Sequence, residues 1–425
     1  MITSPAFRGK RYAVIGLARS GLATVDALLA SGAEIVAWDS KDEARAAVAD
    51  RVTIADPLTI DLAGFDAVIV TPGLPLNRHP IVANAAAAGV PIIGDIELFA
   101  QARPSLPQHR VIGITGTNGK STTTALIHHI IETAGIPTLL GGNIGLPILG
   151  RDPLPANGIY VLELSSYQID LTRSLDCDVA VLLNVTPDHL DRYDGFDGYA
   201  ASKARLFAMQ SAGHVAVVAT EDDETRRIAK TVKTLVEARS SSITDQSAWP
   251  ALQGPHNAQN AAVAIATART IGIAEDAIAE GLKSYPGLPH RMERVKERNG
   301  VLFVNDSKAT NPSSSSFALA SYPAIHWILG GLPKGDRLDE CAPMFSHVRA
   351  AYVIGEAAPV FAKLLEEAGK PVTISLTLDQ AVRDAAAAAK SGDVVLLSPA
   401  CASFDQFRDY ESRGDSFRAA VEALA

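Results

Sequence analysis

Short apolar runs recur along the chain, separated by longer stretches of mixed character. "RYAVIG" ends at Gly16, "AEIVAWD" at Asp39, and "FDAVIVTPG" in the turn Thr71-Pro72-Gly73. "RVIGI", "GIYVLEL" and "DVAVLLNV" form a second block, and "GVLFVND", "IHWILGG" and "DVVLLSPACAS" a third. Helical patterns lie between them, one from Ser20 and one from about Lys120 to Ala134. Strands alternating with helices imply parallel sheets. Proline and polar residues break the pattern at 101–109 ("QARPSLPQH"), read as a linker, and at 284–291 ("SYPGLPHR"). The expected fold is α/β with three domains, 1–107, 108–287 and 288–425, each built on a mainly parallel sheet.

A length of 425 residues suits two to four domains. The composition, 47% apolar and 20% charged, is that of an ordinary water-soluble protein. A net charge of −9 argues against a general nucleic-acid or membrane-surface binder, though not against local anion sites. The three cysteines, Cys177, Cys341 and Cys401, are odd in number and widely spaced, which suggests no disulfide framework and fits a reducing cytosol. No signal peptide is expected from "MITSPAFRGK", and no apolar run is long enough to span a membrane.

The stretch "GTNGKSTTT", from Gly116, carries the strongest chemical signal. Small residues in Gly116, Thr117, Asn118 and Gly119 let backbone amides close around phosphate oxygens, at the start of a helix that favours anions. Lys120 supplies charge, and Ser121 a hydroxyl for Mg²⁺; Thr122 follows in the same turn. The usual phosphate loop needs a glycine where this chain has Ile114, so the loop is short by its standard. "GLARSG", Gly16 to Gly21, is either a degenerate dinucleotide fingerprint or only a tight turn. Asp39 lies where a ribose-binding acid would stand.

Glu163, at a strand end, suits Mg²⁺. His189 in "NVTPDHLDRY" is a ligand, a proton carrier or merely an exposed histidine. Lys203 in "SKARLF" is placed on a helix, where pattern alone favours a solvated lysine. Asn257 and Asn260 share a helical face, either to meet a base edge or to cap. In the third block Asp306 and Thr310, Lys334, and Ser403 stand in three strand-end turns. Such turns emerge on one edge of a sheet, where ligands gather.

Taken in order, "GTNGKS", "GGNIG", "ELSSYQ", "NVTPDHLDRY", "GPHNAQN", "LPHRME", "NDSKATNP", "GGLPKGD" and "LLSPACASFDQF" resemble the Mur ligase family over essentially the whole chain. That family's loop looks like the shortened form G-x-x-G-K-[ST]. The last four segments look most like the member that adds D-glutamate to UDP-N-acetylmuramoyl-L-alanine; the D-N-P-R motif of the diamino-acid-adding sibling is absent. The resemblance implies a Rossmann-like UDP-sugar domain, a central P-loop ATPase domain and a Rossmann-like amino-acid domain. It implies a cytoplasmic, monomeric enzyme of peptidoglycan precursor synthesis, using ATP and two Mg²⁺ ions through an acyl phosphate.

The same resemblance carries roles onto single residues. Lys120, Ser121 and Glu163 would serve phosphate and Mg²⁺, with His189 and a carbamylated Lys203 for the second ion. Arg19, Ser20, Asp39, Ser40, Gly73, Asn143 and His189 would hold the nucleotide-sugar. Asn260 would face adenine, and Arg291 and Asp306 would serve the ATP ribose and phosphates. Thr310, Lys334, Ser403 and Tyr410 would hold glutamate, Tyr410 standing where the family often has Phe. Other amide ligases of this superfamily, such as folylpolyglutamate synthase, and a non-catalytic nucleotide-binding relative remain alternatives at this point.

Overall fold

The computed structural model describes residues 1–333 and 335–424. The apolar runs form three sheets. The first holds β1 (Arg11–Ile15), β2 (Glu34–Trp38), β3 (Thr53–Ile54), β4 (Ala67–Val70) and β5 (Ile92–Ile93), all parallel, in the order β3-β2-β1-β4-β5. The second holds β6 (His109–Thr115), β7 (Thr138–Gly142), β8 (Gly158–Glu163), β9 (Val179–Leu182), β10 (Val215–Ala219) and β11 (Leu235–Ala238). It is also parallel, in the order β11-β10-β9-β6-β8-β7. The third holds β12 (Glu293–Arg298), β13 (Val301–Asn305), β14 (Ile325–Gly330), β15 (Val348–Ile354), β16 (Val372–Leu376) and β17 (Val394–Leu397), in the order β12-β13-β17-β14-β15-β16.

Strands β4, β8, β9, β14 and β17 are buried at every position. That is what a strand covered on both faces requires, and it is why these segments are apolar throughout. The exception is β12, which pairs antiparallel with β13 through a bulge between Arg294 and Lys296. Its sequence "ERVKER" has one apolar residue, so hydrophobic patterning does not reveal it. An edge strand needs no second buried face, and its charges discourage further pairing.

The chain divides into two compact units, Met1–Tyr285 and Pro286–Ala425. The break falls inside the predicted interruption at 284–291. In the first unit, two sheets share one core. Leu98, Phe99 and Ala102 lie in the same buried cluster as Val111, Tyr160 and Leu162. Phe99 meets Tyr160 edge to face, with ring centroids 5.0 Å apart.

The stretch 101–109, expected to be a linker, is therefore mostly ordered structure. A helix runs to Ala102, a 3₁₀ turn spans Arg103–Ser105, and β6 starts at His109. The reason is Arg103, whose guanidinium donates to the Asp176 carbonyl and pairs with Asp178 at 3.4 Å.

Glu97 makes a second tie. Its buried carboxylate accepts from the Arg173 amide at 2.7 Å, the Ser174 amide at 2.9 Å and the Ser174 hydroxyl at 2.8 Å. Removing it leaves two part-buried amides unpaired, which costs about 1–3 kcal/mol. Glu97→Ala is expected to lower the unfolding free energy of the first unit by that amount, read as a lower urea midpoint; an unchanged midpoint would show that the tie adds nothing.

Candidate functional site

The phosphate loop joins β6 to the helix Lys120–Thr133. Ile114 is buried inside β6, in register with Glu163 of β8, so the strand runs on to Thr115 and the turn begins only at Gly116. Gly116 has φ 155°, and a Cβ there would lie 2.9 Å from the Leu183 side chain. Gly119 has φ 82°, and a Cβ there would lie 2.3 Å from Asn260 Oδ1. Only glycine fits either place.

Asn184, just past β9, clamps the turn. Its carbonyl accepts from the Thr117 amide at 2.8 Å and its Oδ1 from the Asn118 amide at 2.8 Å. Asn184 lies in a motif singled out in the sequence, but its role was not legible, because only the fold brings β9 beside β6.

Two lysines converge on this loop. Lys120 donates to the Gly116 carbonyl at 3.0 Å and the Thr117 carbonyl at 2.7 Å. Lys203, on the helix Gly195–Ala208, donates to the same Gly116 carbonyl at 2.8 Å. Lys203 is only 1% exposed, which rules out a solvated lysine. Burial, then repulsion from Lys120, pulls its amine down to about 7.

Tyr199 sits one turn before Lys203 on the same helix. The Lys203 ammonium lies 4.5 Å from its ring centre, and its hydroxyl meets Thr117 Oγ1 at 3.2 Å. Sequence reasoning missed Tyr199; its spacing of four residues from Lys203 was the available signal.

Glu163 ends β8 and is 2% exposed. Its Oε1 accepts from Asn143 Nδ2 at 3.0 Å, while its Oε2 is buried without a hydrogen-bond partner. Gly142 makes the approach possible, since a Cβ there would lie 2.1 Å from the Glu163 carbonyl. A buried, unpartnered carboxylate oxygen beside a phosphate loop is suited to a hard divalent cation. Among the described residues no group of three or more His, Cys, Asp or Glu is arranged so that it could hold a metal ion. A cation at Glu163 would therefore draw further ligands from hydroxyl, phosphate and water. His189 stands in a left-handed turn, φ 52°, with its ring 5.1 Å from that of Tyr167 and 6.2 Å from that of Tyr199.

Asn260, on the helix Pro255–Thr270, is buried behind the loop. Its Oδ1 accepts from Thr123 Oγ1 at 3.2 Å and its Nδ2 donates to Asn257 at 3.1 Å. The bond to Thr123 ties this helix to the one that follows the loop, and the bond to Asn257 lies within the helix. Ser121 and Thr122 are half-buried in the first turn of the phosphate-loop helix.

In the first sheet β1 lies between β2 and β4, so the chain changes direction at its carboxyl end, where open α/β sheets bind ligands. Gly16 and Gly21 are there for steric reasons: a Cβ at Gly16 would meet Thr71 at 2.7 Å, and one at Gly21 would meet the Gly16 carbonyl at 1.9 Å. Asp39 accepts from the Leu17 amide at 2.7 Å and the Lys41 amide at 2.9 Å. Burial raises its carboxyl, but these amides outweigh burial and hold it below the usual carboxylate range. Arg19 reaches the Gly145 carbonyl at 3.3 Å, beside the turn that holds Asn143. Ser20 is half-buried, whereas Ser40 and Gly73 are exposed.

In the second unit Asp306, Thr310 and Ser403 stand at the carboxyl edge of the third sheet, and Lys334 lies outside the described residues. A residue not foreseen, Arg413, organises this edge. It is fully buried on the helix Tyr410–Glu422 and donates to the Ser307 hydroxyl and carbonyl and to the Cys401 and Ala402 carbonyls, at 2.8–3.2 Å. It thus fixes the Asp306 and Ser403 turns together. Tyr410 begins the same helix, 6.3 Å from the His290 ring, and Arg291 is exposed beside it in sequence.

Sequence comparison finds three matching domain families. Residues 10–94 match the MurD-like N-terminal domain of Mur ligases, 114–251 the Mur ligase middle domain, and 290–401 the Mur ligase glutamate ligase domain. The UDP-N-acetylmuramoylalanine--D-glutamate ligase of Novosphingobium aromaticivorans is 66% identical over 430 residues, covering 100% of this chain and 97% of its own. The Zymomonas mobilis protein of that name is 58% identical, covering 100% of both. The crystal structure of UDP-N-acetylmuramate-alanine ligase from Thermotoga maritima shares the fold, with a TM-score of 0.61 at 17% identity over 98% of this chain and 100% of that one.

Asp306 gives a pH-dependent expectation. Burial pushes its carboxyl up to about 7, against the Ser398 hydrogen bond, the Arg291 charge and the Met292 amide. From 3.8 to about 7 the native state holds a proton that the unfolded chain has lost, so this group lowers stability as pH rises through that window. The loss is on the order of a few kcal/mol. Asp306→Asn should raise the thermal midpoint more at pH 8 than at pH 5; equal gains would assign the effect to something other than ionisation.

Proposed function

The chain belongs to the Mur ligase family, and from that premise we infer its reaction, the ATP-dependent joining of D-glutamate to UDP-N-acetylmuramoyl-L-alanine in peptidoglycan precursor synthesis. The observation that carries this reading is whole-chain similarity to relatives named for that activity.

The chemistry explains the residues. A carboxylate is a poor electrophile, so the substrate's terminal carboxylate first takes the γ-phosphoryl group of ATP. The amine of D-glutamate then attacks the acyl phosphate, the tetrahedral intermediate collapses, and amide, ADP and phosphate leave. The amides of Gly116 to Ser121 and the Lys120 ammonium hold the phosphates at a helix N-terminus. Ser121 and Glu163 would hold a Mg²⁺ ion, and His189 and Lys203 a second. Such ions screen phosphate charge and polarise the transferred group.

We assign the nucleotide-sugar to the turns of Arg19, Ser20, Asp39, Ser40, Gly73, Asn143 and His189. ATP also falls to Thr122, Asn260, Arg291 and Asp306, and glutamate to Thr310, Lys334, Ser403 and Tyr410. A cytoplasmic location fits three buried cysteines; among the described residues no helix is long and apolar enough to cross a membrane.

Lys203 serves as a metal ligand only after its charge is reversed, since an ammonium repels a cation. Its amine, depressed to about 7, is substantially neutral at physiological pH. A neutral amine adds CO₂ and releases a proton, giving an anionic carbamate with two hard oxygens.

Phosphate release should require ATP, the nucleotide-sugar and D-glutamate together; release from ATP alone would contradict the ligase reading. Lys120→Ala should fold normally and lose roughly 10²–10³-fold in rate, and near-normal turnover would remove the phosphate role. Lys203→Ala should lose most activity and recover part of it with added short carboxylic acids. An unmodified Lys203 in a crystal structure of metal- and substrate-loaded protein would count against the carbamate.

A further inference from the structure

We propose that Asn77 and Arg192 form a positioning strap that transmits occupancy of the nucleotide-sugar turns to the loop bearing His189, a proposal that rests on the substrate assignment above. The segment after β4, Thr71 to Asn77, has two neighbours. On one side Thr71 covers Gly16, its amide donating to the Ile15 carbonyl at 3.2 Å. On the other side it meets the His189 loop through two reciprocal bonds. Asn77 Nδ2 donates to the Asp191 carbonyl at 2.9 Å, and the Arg192 guanidinium donates to the Leu74 carbonyl at 2.9 Å. Each loop thus gives one side chain and one carbonyl.

Beside the strap lies a cleft of about 440 Å³, lined by Pro72, Leu76, Asn77, Tyr167 and Arg192 among others. The two loops are therefore joined across open space by directional bonds rather than by a packed apolar seam.

Arg192 is well placed to act on His189. Its guanidinium lies over the Tyr167 ring, 4.2 Å from the centre, which fixes its plane. The same ring neighbours His189. The Arg192 amide donates to the His189 carbonyl at 2.9 Å and closes the turn in which His189 is left-handed. A histidine keeps such a conformation only where its surroundings fix it. Arg192 touches neither phosphate-loop lysine among the contacts described; it positions, through the backbone, a residue assigned to substrate and metal.

The test uses the full-length protein with Asn77→Ala, Arg192→Ala, Arg192→Lys and the double alanine variant. Each single alanine change should raise the KM for UDP-N-acetylmuramoyl-L-alanine about tenfold. The double variant should be little worse than either single one, the KM values for ATP and D-glutamate should hold, and Arg192→Lys should recover part of the loss. In the native protein the nucleotide-sugar should slow amide exchange in both 71–77 and 186–192. In the alanine variants it should slow exchange in 71–77 alone. Protection of 186–192 that survives in the variants, or equal and additive losses for all three substrates, would overturn the strap. Were Arg192→Ala to unfold, Asn77→Ala, at an exposed position, carries the same exchange test. Absence of protection in both loops of the native protein would instead overturn the substrate assignment, and the strap with it.

Discussion

Two lysine side chains donate to one carbonyl oxygen, that of Gly116, and much of the central site follows from this crowding. Lys120 brings positive potential to the turn, which draws in anions. Burial, and then the charge of Lys120, oppose ionisation of Lys203. The carbonyl can face both lysines only because Gly116 adopts a backbone angle closed to other residues, and because Asn184 pins the turn from the neighbouring strand. Tyr199 then offers an aromatic face to the deeper lysine and a hydroxyl to the loop. Each of these contacts holds the turn and its two lysines in one fixed arrangement.

The second unit solves a related problem differently. Its edge turns are tied by Arg413, a guanidinium whose hydrogen bonds go to carbonyls and a hydroxyl rather than to a carboxylate. Burial pulls its pKa down to about 10, which leaves it charged at neutral pH. A planar donor set of this kind can hold two turns at once, which a lysine's single nitrogen cannot do as well. Asp306, beside it in the fold, keeps a buried carboxyl at a cost to stability, which fits the ATP-binding role proposed for it.

Strand positions and the glycine turn after β6 were legible because buried parallel strands leave continuous apolar runs, and because a tight strand-to-helix turn needs glycine where a Cβ would clash. Ile114 became intelligible only in the structure, where β6 outlasts the point at which a longer loop would begin. Strand β12 was illegible for the opposite reason, since a charged edge strand carries little hydrophobic signal. Asn184, Tyr199 and Arg413 act through contacts between distant segments, and a single sequence records residue types without recording those contacts. Lys203 shows the limit most clearly: pattern alone favoured a solvated side chain, and only its burial separates it from the many lysines that are.

The shared core of the first two sheets bears on how hybrids of this protein could be built. Phe99 and Tyr160 pack across what the sequence presents as a boundary, so grafting a foreign leading segment at residue 107 would cut through an aromatic contact and a buried cluster. The natural suture lies at Tyr285, where one compact unit ends and the next begins. Recombination that respects it would exchange the trailing unit as a cassette, leaving the leading pair of sheets to be inherited as one piece.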